Sequence, residues 1–141
     1  MLESIEYYRK YLQVRKSQIS GAGYGVFTTI DIPANEPVCL YEGVLEPSEL
    51  RDRESCYYVH VNKQTVLNAT LIDTIGKLIN DAYRSRYKTN VKFGKFYQDS
   101  RVSRYPYFTI RSKRLIKAGE ELFLSYGSGF WNSFRRHHKA G

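Results

Sequence analysis

The chain has 141 residues, enough for one domain, and its 42% hydrophobic share fits a folded globular protein. A domain of that size buries about two thirds of its unfolded surface, so it needs no disulfide or metal staple. No apolar run is long enough to cross a bilayer and MLESIEYYRKYL lacks the apolar centre of a secretion signal, so an intracellular protein without membrane partners is expected; the net charge of +8 favours polyanions.

Ile5, Tyr8 and Leu12 stand at helical spacing, which predicts a short amphipathic helix over 3–12 within a lead-in over 1–13. GAGYGVF then brings Gly21, Gly23 and Gly25 close together. Such a backbone reaches left-handed conformations and admits close approach. It fits neither of two phosphate-binding templates: Val26 stands where a dinucleotide fingerprint needs its third glycine, and no Gly-Lys-Ser/Thr follows. A ligand turn and a bare hairpin both remain open on these residues.

VFTTI is rich in β-formers, DIPANEP supplies a turn through Pro33 and Asn35, and VCLYEGVL reads as a strand ending near Gly43. EPSELRDRE is a helical turn or a loop. YYVHV and QTVLNATL are strands, and DTIGKLINDAY is a short helix leading into a loop. NVKFGKFYQ, YFTIRSKRLI and ELFLSYG are three further strands, with KAGEE as the turn between the last two. GFWNSFRRHHKAG begins as a helix and ends in a basic tail over 132–141. Many short strands with short connections predict a mainly β domain.

Cys39 and Cys56 have no CxxC spacing and no histidine pattern, so no metal site is expected. His60 lies in a strand as a structural residue; His137 and His138 belong to the solvated tail. From Lys77 to Arg104 eight basic residues face only Asp81 and Asp99, which leaves two readings, a solvated face or a surface for nucleic acid.

Four stretches stand in an order that resembles the SET domain. GAGYGVFTTIDIPANEPVCLYEG is similar to its opening G-x-G turn, its I-P-x-x-x-x-V and its Y-x-G. VLNATLIDTIGKLIN matches the middle segment, with Leu78-Ile79-Asn80 at the start of the family's F-I-N-H-S position. TNVKF sits at its P-N element, and IKAGEELFLSYG matches its closing I-x-x-G-E-E-L and tyrosine. The SYGSGFW ending resembles the short viral SET proteins. The resemblance spans about residues 14–131.

It implies a fold of small curled β-sheets with short helices and a knot-like active site, and an S-adenosylmethionine-dependent protein-lysine methyltransferase. Gly23, Tyr24 and Gly25 would hold the cofactor's methionine portion, a side chain on either glycine obstructing both turn and ligand. Asn80, Asp81 and Trp131 would complete the cofactor site. Tyr126 would be the closing catalytic tyrosine and Tyr57 an upstream tyrosine of the lysine channel. Tyr58, Leu124 and Phe130 would border the substrate. Leu124, two residues before Tyr126 and lacking a hydroxyl, implies di- and trimethylated product. Asp81 replaces the family's histidine, and no cysteine-rich closing module follows Trp131. Histone tails are the implied substrate and the nucleus (a host nucleus for a viral protein) the implied compartment, with the cytoplasm as alternative. Nucleosomal DNA and a homodimer are further expected partners. The competing readings are a non-catalytic SET-like module that binds peptide or nucleic acid, and an unrelated β-rich nucleic-acid binder.

Overall fold

A computed structural model describes residues 5–50 and 57–125. Within them ten strands form four small sheets. β1 (Leu12–Lys16) and β2 (Tyr24–Thr28) make an antiparallel hairpin. β3 (Pro37–Glu42), β9 (Tyr107–Ser112) and β8 (Val91–Tyr97) make an antiparallel sheet in that order. β4 (Val44–Pro47), β6 (Thr65–Asn68) and β5 (Tyr58–His60) make another, and β7 (Asn80–Asp81) pairs in parallel with β10 (Phe123–Leu124). The chain is mainly β, as its short apolar stretches predict.

Every sheet feeds one core. Val26 comes from the hairpin, Val38, Tyr41 and Ile110 from the β3–β9–β8 sheet, Leu67 from β6 and Leu124 from β10. Burying each such side chain is worth about 1.5–3 kcal/mol, which is how strands too short to stand alone are held. A register shift between Phe93 and Phe96 leaves both rings against Phe108, at 5.7 and 5.2 Å between centroids. Thr74 ties the following 3-10 turn (Ile75–Leu78) to β3: its hydroxyl donates to the Leu40 carbonyl at 3.0 Å and accepts from the Glu42 N–H at 3.1 Å. That anchor delivers Asn80 to β7.

Of the helix predicted over 3–12, Ile5 is the only α-helical residue in the described part of that segment. Arg9–Tyr11 form a single 3-10 turn and Leu12 already belongs to β1. The Tyr11 carbonyl, which a longer helix would need, is taken by the Thr29 N–H at 2.9 Å and the Thr29 hydroxyl at 2.8 Å. The strand read in VCLYEGVL does end near Gly43: β3 stops at Glu42, and Val44 opens β4 in a second sheet. The chain turns at Gly43, whose N–H donates to the Pro106 carbonyl at 3.1 Å.

Candidate functional site

The end of the β1–β2 turn, β7, Asn90 and the stretch from Glu121 to β10 converge. β10 lies between two partners. Phe123 and Leu124 run alongside Asn80 and Asp81. The Asn90 N–H donates to the Phe123 carbonyl at 3.0 Å, and the Asn90 side chain accepts from Phe123 N–H at 2.8 Å and donates to the Glu121 carbonyl at 2.9 Å. Leu122 N–H donates to Val26 at 2.7 Å, which attaches the same stretch to β2. Residues distant in sequence thus meet through backbone pairing.

The two glycines of the turn answer different needs. Gly23 has φ of 73°, a left-handed conformation that side-chain-bearing residues rarely adopt, and a Cβ there would point into open space. A Cβ on Gly25 would collide with the Glu121 carboxyl and stand 3.1 Å from the Asn80 amide nitrogen. Glycine at position 25 therefore makes room for one of the protein's own acids. Tyr24, between them, opens β2 and is 69% exposed.

Glu121 is the residue that sequence reasoning missed. It is 1% exposed, yet its carboxyl accepts from the Ser17 hydroxyl at 2.7 Å, the Gln18 N–H at 2.9 Å, and more weakly from Gln18 Nε2 and Asn80 Nδ2, each at 3.4 Å. Ser17 is oriented for this by accepting the Ile19 N–H at 3.1 Å. Each of these neighbours among the described residues donates, so the carboxyl oxygens serve here as acceptors. Among the described residues no cation forms an ion pair with it. The hint in the sequence was its place as the second glutamate of the G-E-E-L match, next to the apolar Leu122.

Asn80 joins the parts. Its amide donates to the Tyr24 carbonyl at 2.9 Å as well as to Glu121. Asp81, half-buried, accepts the Tyr83 N–H at 2.7 Å and so shapes the start of the next loop. Tyr87 from that loop stacks on Phe123, centroids 5.0 Å apart. Beside them lies a depression of about 240 Å³ bordered by Gln18, Tyr87, Lys88, Asn90 and Arg114.

The other expected site residues divide. Tyr57 is 37% exposed, with the Lys77 ammonium 5.4 Å from its ring centroid. Tyr58, at the start of β5, is 9% exposed and edge-on to His60, so the adjacent tyrosines differ in burial. Leu124 is fully buried in the core. Gly23, Tyr24, Gly25, Asn80 and Asp81 are brought together; Tyr57 and Tyr58 stand in the separate β4–β6–β5 region. Tyr126, Phe130 and Trp131 lie outside the described residues, as does any crossing of the final segment that would complete a knot.

The SET domain family profile matches residues 23–127. The chain is 31% identical over 130 residues to the histone-lysine N-methyltransferase EHMT1 of Mus musculus, covering 88% of this chain and 10% of that protein. It is 32% identical over 134 residues to the histone-lysine N-methyltransferase EZH2 of Chaetomium thermophilum, covering 87% and 8%. The chain thus spans about a tenth or less of the length of these relatives. Among solved structures, it superposes on a Plasmodium falciparum protein described as a histone methyltransferase with a TM-score of 0.61 at 21% identity, covering 86% of this chain and 96% of that one. It superposes on a chain of the inhibitor-bound, humanized Chaetomium thermophilum Polycomb Repressive Complex 2 with a TM-score of 0.66 at 27% identity, covering 88% and 16%.

Proposed function

The chain belongs to the SET-domain family, and we propose that it is an S-adenosylmethionine-dependent protein-lysine N-methyltransferase acting on histone tails. The observation that supports this most is the junction of the Tyr24 carbonyl, the Asn80 amide and the buried Glu121 carboxylate. A cofactor with a sulfonium and an ammonium suits that junction. An acid without a cationic partner among the described residues lies behind the turn, the space beside Gly23 is open, and Tyr24 is exposed. Gly23, Tyr24, Gly25, Asn80, Asp81 and Trp131 are the residues proposed to hold it. When bound, S-adenosylmethionine supplies a methyl group activated by its sulfonium.

The protein's own task is to present a neutral, aligned lysine amine. A lysine with pKa near ~10.4 costs roughly 4–5 kcal/mol to neutralise at pH 7, and an apolar, water-poor channel lowers that cost. Tyr126 is proposed to orient the amine through its hydroxyl, with Tyr57, Tyr58 and Phe130 bordering the side chain. Orientation of this kind lowers a barrier without a metal or a covalent nucleophile. Leu124 brings no hydroxyl to hold a water near the amine, which supports di- and trimethylation. The SYGSGFW segment supports kinship with the short viral SET proteins and, through that kinship, a homodimer; a histone substrate supports a nuclear site of action.

Asp81 in place of the family's histidine, with its carboxylate committed to the Tyr83 turn, favours the second reading, a non-catalytic module. Incubation with labelled S-adenosylmethionine and mixed core histones separates the two. Label on histone lysines is expected. A protein that binds the cofactor yet labels neither histones nor itself is the non-catalytic module.

A further inference from the structure

Between residues 82 and 119 the sequence has eleven lysines and arginines and a single acid, Asp99, which is itself paired with Arg101 at 3.0 Å. Six of these cations lie on or beside β8, β9 and the 82–90 loop that leads into β8. β8 is an edge strand, and its exposed Lys92 stands directly opposite Arg111 of β9. Like charges directly opposed across a ladder are destabilising. Lys113 follows β9 directly, its N–H donating to the Asn90 carbonyl at 2.8 Å, and its exposed ammonium donates to the Thr89 hydroxyl at 2.7 Å beside the loop that precedes β8. Arg111 donates to the Asn35 carbonyl, a neutral acceptor.

The loop from 82 to 90 adds Arg84, Arg86 and Lys88. The Arg84 guanidinium lies over the Tyr83 ring at 5.3 Å and that of Arg86 over the Tyr87 ring at 5.2 Å. Among the described residues none of Arg84, Arg86, Lys88, Lys92, Arg111 and Lys113 forms an ion pair with a carboxylate. Six cations without a carboxylate partner among the described residues make a positive surface that attracts a polyanion, and dissolved salt screens that attraction.

We propose that the β8–β9 outer face and the 82–90 loop form a docking surface for the phosphate backbone of double-stranded DNA. The arrangement favours a duplex over a single strand. Single-strand binders present open aromatic faces for bases to stack on, whereas here Arg84 and Arg86 lie over Tyr83 and Tyr87, and Tyr87 also stacks on Phe123. Ammonium groups and guanidinium forks together suit the repeating phosphates of a duplex. The surface borders the candidate site because the loop leaves β7 at Asp81. The proposal does not rest on methyl transfer, since binding is measured without cofactor.

The test is fluorescence anisotropy of a labelled mixed-sequence duplex with the full chain, titrated with salt. Each phosphate contact contributes about −0.9 to the slope of log affinity against log salt. The wild type is expected to show a slope of about −4 or steeper. The double variant Lys92→Ser/Lys113→Ser should flatten it by about 2. Lys63→Ser, on the distant β5–β6 turn, should leave it unchanged. Methylation of a free histone peptide by the double variant reports that its fold and site are intact; where no methylation exists at all, the thermal midpoint serves the same purpose. A salt-insensitive wild type, an unchanged slope in the double variant, or tighter binding of a single strand or of polyglutamate than of the duplex would overturn the proposal.

Discussion

The Asn80 side-chain amide donates to the Tyr24 carbonyl at 2.9 Å across 56 residues of chain. This one bond fixes the glycine turn against β7, and the same amide reaches Glu121. Replacing Asn80 by alanine removes both contacts while leaving the backbone pairing of β7 with β10. Affinity for S-adenosylmethionine should fall by about 1–2 kcal/mol, roughly tenfold, if the turn must be held in place to bind. Calorimetry measures it, and an unchanged affinity would detach Asn80 from the cofactor.

The glycine turn makes a second prediction through stability. Gly25→Ala drives a methyl group into the Glu121 carboxyl and should cost about 1–3 kcal/mol. Glu121→Ala removes the obstacle at its own cost, because Ser17 and Gln18 lose a buried acceptor. The double variant should be less destabilised than the sum, with a coupling of about 1 kcal/mol or more by denaturant unfolding. Additive losses would mean that something other than this acid excludes a side chain at position 25. Gly23→Ala should cost about 1–2 kcal/mol from its left-handed backbone alone, with no coupling to Glu121.

Leu124 governs the third. It is fully buried, so Leu124→Tyr overfills the core and should lower stability by about 1–3 kcal/mol. The surviving enzyme should shift its product toward monomethyl-lysine, whereas the wild type with excess cofactor should proceed to di- and trimethyl-lysine. Mass spectrometry of a methylated peptide reads both. A wild type that stops at one methyl group would show that another residue limits the pocket.

Cys39 supplies a pH dependence. Burial pushes its thiol from 9.0 up to about 12. The folded protein therefore keeps a proton that the unfolded chain releases above pH 9, so stability falls as pH rises through that interval and levels beyond it. Relative to Cys39→Ala, the wild type should lose about 1.4 kcal/mol per pH unit across this range. Parallel curves for the two proteins would contradict the buried thiol.

The strands with strong β-formers and the four ordered motifs were legible in the sequence, and they led to Gly23, Tyr24, Gly25, Asn80 and Asp81 as one group. β1 was not. LQVRK is largely exposed and shows no alternation of burial, so only its pairing with β2 makes it a strand. The apolar spacing before it suggested a helix because Tyr8 and Leu12 do pack against the core, though from a turn and a strand. Glu121 was hidden for a different reason. An acid beside a turn ordinarily faces solvent, and its burial depends on donors from Ser17 and Gln18 that only the folded chain brings near.

The most direct test of the account is mass spectrometry of nucleosomes incubated with S-adenosylmethionine and either the wild-type protein or Tyr126→Phe. The account predicts methylated histone lysine with the wild type, and with the variant a rate lower by roughly 3–4 kcal/mol of barrier, about a hundredfold or more, at near-normal cofactor affinity. Methylation that persists undiminished in Tyr126→Phe, or no methylated lysine from a wild type that binds the cofactor, would contradict it.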